Sequence, residues 1–148
     1  MSKINDLFKN QKTTVFLSFD AILVFAGLIS LIFSNATQGY VIRNAGWIIA
    51  AGVVALALVC LAAYANINFR EKFWVTGIMF IALVLLCVSF GFTLVHRVDL
   101  AAALFTYDST NMLAWRAFTS GMVNVGINFL AAIILTICAF FRPQKFLK

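Results

Sequence analysis

The sequence predicts an all-α integral membrane protein, a four-transmembrane-helix bundle with both termini cytoplasmic. Three observations carry that expectation. Four charge-poor apolar stretches fill most of the 148 residues, hydrophobic residues make up 64% of the chain against 11% charged, and the basic residues cluster at the ends of the stretches. A spanning helix takes about 20 predominantly apolar residues at ~1.5 Å rise each. In a soluble fold of this composition too little polar surface would remain to cover the core.

Between Lys12 and Arg43 the only charge is Asp20, and the intervals Arg43 to Arg70, Lys72 to His96 and Arg116 to Arg142 contain none. If the N-terminus is cytoplasmic, that side collects Lys3, Lys9, Lys12, Arg70, Lys72, Arg142, Lys145 and Lys148, against Arg43, Arg97 and Arg116 on the other. This imbalance follows the positive-inside rule and sets the orientation. The net charge of +6 therefore reports membrane topology, since no continuous basic patch for nucleic acid exists. The partners expected are the lipid bilayer and other membrane subunits or further copies of the chain.

The N-terminal tail sets Ile4, Leu7 and Phe8 at helical spacing among Lys3, Asp6, Lys9 and Lys12, which predicts a short interfacial helix over residues 3–11. The first span covers about 14–33. It is too long for a signal-peptide core and has no small-x-small cleavage site behind it, so it is read as a retained helix. Ser34 to Gly39 forms a polar exit in which Asn35-Ala36-Thr37 matches a glycosylation sequon.

The second span, about 45–65, is crowded with alanine and glycine distributed around the helix, so it can meet two neighbours closely; Ala51 and Ala55 are its contact candidates. Asn66 to Lys72 is a tight hairpin before the third span, about 73–95. Trp47, Trp74 and Trp115 mark the interfacial boundaries. In the connection from His96 to Asn111, Asp99 is expected to cap a separate small helix over 100–105. Asp108 to Asn111 is a start signal for the fourth span, 112–141, which Arg142-Pro143 ends. No internal repeat, low-complexity tract or heptad pattern stands out, and the whole of 1–148 is one membrane domain.

Asp20 is the one ionisable residue inside a predicted span, where a carboxylate is costly unless paired, hydrated or protonated. Tyr64, Thr76 and Thr136 fall at similar depth on the other spans, and together with Asp20 they form a candidate ion or proton site. No second buried acid, no intramembrane Arg or Lys and no broken helix accompanies it. The alternative is an acid held by hydrogen bonds that fixes helix register, for which Leu would be a worse replacement than Asn because Leu would strand its partners.

Gly27 shares a face with Asp20 and Ser34 at seven-residue steps. On the fourth span Asn124 and Asn128 align with Gly121 and Ala131 as a helix-contact stripe, and Ser89 and Thr93 on the third span are expected to face them. Cys60, Cys87 and Cys138 lie singly in separate spans without metal or redox spacing, and no nucleophile motif, phosphate loop or cofactor fingerprint occurs. The sequence thus predicts no cofactor, no metal and no enzymatic activity. It favours a structural or accessory subunit of a membrane assembly, in the bacterial cytoplasmic membrane, with a small proton- or cation-coupled transporter or channel as the rival.

Overall fold

A computed structural model describes residues 2–37, 39–69, 73–107 and 109–141, with backbone alone for 2–10. It contains four helices, α1 (Ser2–Ala36), α2 (Ala45–Asn68), α3 (Phe73–Thr106) and α4 (Met112–Phe141), and no strand among the described residues. Each of the four is long and apolar enough to cross a membrane. The protein is an integral membrane four-helix bundle. Short connections force antiparallel neighbours, and the helices form a ring in which α1 and α3 each pack against α2 and α4 while the diagonal pairs stay apart.

Two boundaries differ from expectation for one reason. The interfacial helix expected over 3–11 and the first span are a single continuous helix, and the small helix expected after Asp99 is the end of α3, which runs unbroken through His96, Arg97 and Asp99. Polar residues mark where a helix leaves lipid, but they do not end it. Only a break in the hydrogen-bond ladder does that, and neither segment holds a proline. At 34 residues, α3 is about 51 Å long, well beyond a hydrocarbon core of about 30 Å.

Asn111 begins α4 by a side-chain cap, its Oδ1 accepting from the Ala114 N–H at 3.1 Å. At that end Phe105, Trp115 and Phe118 stack edge to face with centroids 5.4 to 6.5 Å apart, joining α3 to α4.

Burial reveals a heptad register. The buried positions advance in alternating steps of four and three: Thr13, Leu17, Asp20, Val24, Gly27, Leu31 and Ser34 on α1; Ile48, Gly52, Ala55, Val59, Ala62 and Asn66 on α2; Val75, Met79, Ala82, Leu86, Ser89 and Thr93 on α3; and Ala117, Gly121, Asn124, Asn128, Ala131, Leu135 and Cys138 on α4. That spacing is the seam of left-handed helix packing. Its hydrophobicity carries no contrast, because lipid makes the outward positions equally apolar: Phe16, Phe25 and Ile32 all lie exposed on α1. The seam is distinguished by small and polar side chains. One large apolar cluster, centred on Leu17, Val24, Val59, Met79, Leu86 and Leu135, fills the half of the bundle nearer the termini.

Candidate functional site

Seven-residue steps on α1 bring Thr13, Asp20, Gly27 and Ser34 to the same interior face, and the other helices answer with polar groups at successive levels. Nearest the termini, Asn66 on α2 donates from Nδ2 to the Thr14 hydroxyl at 2.9 Å.

One level further along, Asp20 is 0% exposed, and neither carboxylate oxygen has a hydrogen-bond partner. Its helix neighbours at one turn, Leu17 and Val24, both belong to the apolar cluster, which Cys138 of α4 also joins. The cluster expected around Asp20 is not assembled. Tyr64 is 64% exposed, Thr136 donates to its own helix at Ala132 O at 2.7 Å, and Thr76 is half-buried without bonding to Asp20. Depth alone placed these residues together; their angular positions separate them, Tyr64 standing two residues past the buried Ala62 and hence on the opposite side of α2.

At mid-height the glycine and the two asparagines meet. Asn124 donates from Nδ2 to the Gly27 carbonyl at 2.7 Å, joining α4 to α1. Asn128 fills the space a side chain at Gly27 would occupy, since a Cβ there would lie 2.6 Å from Asn128 Oδ1. The absence of a side chain at Gly27 therefore lets α1 and α4 approach closely at this level. Ala131 continues the same buried stripe, and Ala55 occupies the α2 seam while Ala51 sits half-buried beside it. Ser89 and Thr93 do not face the asparagines: Ser89 donates to Ile48 O on α2 at 3.2 Å, and Thr93 to Ser89 O at 2.9 Å. Close packing on this side comes from Gly52, whose Cβ would fall 2.5 Å from Leu28 Cδ2.

The far level belongs to Arg97, which the sequence places in the connection after the third span. It is 3% exposed and lies inside α3. Its Nη2 donates to the Ser34 carbonyl at 3.0 Å and to the Ser34 hydroxyl at 2.6 Å, and its Nη1 donates to Tyr40 O at 2.9 Å. Ser34 passes the interaction on, donating from its hydroxyl to Ala117 O of α4 at 3.0 Å. All of these acceptors are neutral, and the positive charge is met by the carbonyl end of α1, which terminates at Ala36. A Cβ on Gly121 would fall 2.9 Å from Arg97 Cγ, so only glycine leaves room for the side chain.

Arg97 stands one turn beyond Thr93 on the same side of α3, but the alternating steps of four and three point to position 96, so the register alone does not single Arg97 out. Tyr40 anchors the same end by accepting from Asn111 Nδ2 at 2.7 Å. Asn35 of the sequon accepts from Ile42 N at 3.0 Å and donates to Leu31 O at 3.1 Å, so its amide is engaged in closing the loop.

The bundle axis thus carries a buried acid at one end and a buried base at the other. Fourteen residues of α1 separate Asp20 from Ser34, about 21 Å of helix, too far for an ion pair. Comparison with protein-family models, curated proteins and solved structures finds no match.

Proposed function

We propose that this chain is a non-enzymatic, multi-pass subunit of a homo- or hetero-oligomeric membrane assembly, with a structural or accessory role. The observation that carries this reading is a second seam on α2. Gly46, Ala50, Val53, Ala57, Cys60 and Tyr64 repeat the four-and-three spacing on the exposed side of the helix, opposite the buried one. Gly46, Ala50, Ala57 and Cys60 among them are small, and small side chains facing away from the bundle add nothing to its own packing. In lipid they let another helix approach backbone to backbone, where dispersion and weak polar contacts hold helices together.

Eight basic residues on the terminal side against three on the other support cytoplasmic termini, and the bacterial cytoplasmic membrane is the setting proposed. Purification in mild detergent followed by transfer to lipid nanodiscs tests the assembly. An oligomer or a co-purifying membrane partner is the expected result, and a monomer with no partner contradicts it.

A second reading, a proton- or cation-coupled transporter or channel, is favoured by one observation. The Asp20 carboxyl is removed from solvent with no hydrogen bond to compensate it, so it contributes little to holding the fold. Because the bundle interior is filled by apolar side chains around Asp20, a path would run between protomers, so this reading also calls for assembly.

A further inference from the structure

We propose that the groove between the start of α2 and α3 binds one anionic glycerophospholipid, its phosphate on Arg43 and an acyl chain along Ile48, Val88 and Phe92. The groove has a volume of about 200 Å³ and is also lined by Trp47 and His96. Its polar and apolar groups are segregated along the helices. Arg43 and His96 stand at the end away from the termini, while Val88 lies two turns deeper on α3, about 12 Å further into the bilayer. The lining contains a guanidinium and an imidazole but no carboxylate. Asp99, a turn beyond His96, is exposed and lies outside the groove.

The start of α2 adds the positive end of its dipole at the groove mouth. Asn44 takes a left-handed conformation with φ 62° and its side chain makes no capping bond, while the Ala45 and Trp47 N–H groups are engaged by Ile42 O and Asn44 O at 3.1 and 3.0 Å. Trp47 is 81% exposed and can donate its indole N–H at the headgroup level.

A free anion would use only the exposed mouth, and an uncharged lipid only the walls; an anionic phospholipid uses both. A charge-assisted contact to Arg43 favours phosphate in particular. The inference is independent of the assembly proposal, and either can fail alone.

Trp47 supplies the readout. In nanodiscs of the full chain carrying Trp74→Phe and Trp115→Phe, a small fraction of lipid with brominated acyl chains quenches Trp47 on contact. Brominated phosphatidylglycerol is expected to quench Trp47 more strongly than brominated phosphatidylcholine. Arg43→Gln should weaken that preference about fivefold, the effect of one partly exposed charge contact, while Arg116→Gln, an exposed arginine outside this groove, should leave it unchanged. Equal quenching by the two lipids, an unaltered preference in Arg43→Gln, or an equal loss in Arg116→Gln would overturn the site, the last result assigning the preference to general surface charge.

Discussion

The Arg97 guanidinium crosses the bundle diagonal to reach Ser34, with Nη2 2.6 Å from the hydroxyl and 3.0 Å from the carbonyl oxygen. Because α1 and α3 have no close backbone approach, this side chain is their direct polar link at that end. The planar fork of arginine allows one residue to hold Ser34 and Tyr40 at once, and Gly121 leaves the space in which it lies.

Replacing that fork should loosen the end of the bundle away from the termini. Arg97→Leu is expected to cost about 1–3 kcal/mol, because the buried oxygens of Ser34 and the half-buried carbonyl of Tyr40 lose their donor. Arg97→Lys should recover only part of this, since an ammonium cannot reproduce both arms of the fork. Reversible unfolding in lipid–detergent bicelles measures both. Equal stability of the lysine variant and the native chain would show that charge, rather than the fork, is what matters.

The Gly27 contact predicts opposite signs at two glycines. Gly27→Ala drives a methyl into Asn128 and should destabilise by about 1–3 kcal/mol. Gly126→Ala meets nothing within 4 Å and should be neutral or stabilising by up to about 1 kcal/mol, the helix-propensity gain. Adding Asn128→Ala to Gly27→Ala should restore much of the loss. Unfolding free energies of Gly27→Ala, Asn128→Ala and the double variant give the coupling directly, and additive costs would mean that the two residues do not interfere.

At Asp20 the structure reverses the sequence expectation that leucine is the more damaging substitution. With no partner to strand, Asp20→Leu should be at least as stable as Asp20→Asn and no less stable than the native chain, because it removes a desolvated polar group. A loss of more than about 2 kcal/mol confined to the leucine variant, the cost of stranding a buried polar partner, would reveal such a partner. Flux into reconstituted vesicles separates stability from coupling. If Asp20 is a coupling site, pH- or potential-dependent flux collapses in Asp20→Asn while the fold persists, whereas unchanged flux, or none from either protein, rejects that role.

The architecture was legible because membrane insertion depends on long uncharged intervals, which the chain displays openly. The fourth helix shows this best: its polar start and its Arg142-Pro143 signal bracket 112–141, the range α4 occupies. Arg97 falls outside the expected third span because charge was used to mark where that span ends, whereas α3 continues through it and turns it inward. Tyr64 and Thr136 were matched to Asp20 by depth without angle. The four-and-three register skips Tyr64 and Thr136 and separates them from Asp20, but it does not reach Arg97, and apolar periodicity, the usual guide, vanishes when the surroundings are lipid. Small and polar residues such as Gly27, Gly52, Gly121 and Asn124 carried the register instead.

Assembly through the exposed face of α2 is tested most directly by placing a diazirine-bearing aliphatic side chain at Val53 and irradiating intact membranes. Val53 is exposed in the middle of the second seam, and the probe is close to it in size. An equivalent probe at Ile133, exposed on α4, serves as the comparison. The proposal predicts a protein adduct from position 53, at twice the chain mass for a homo-oligomer or at a partner's added mass for a mixed one, and far less from position 133. Lipid adducts alone from position 53, or protein adducts equal at both positions, would contradict it.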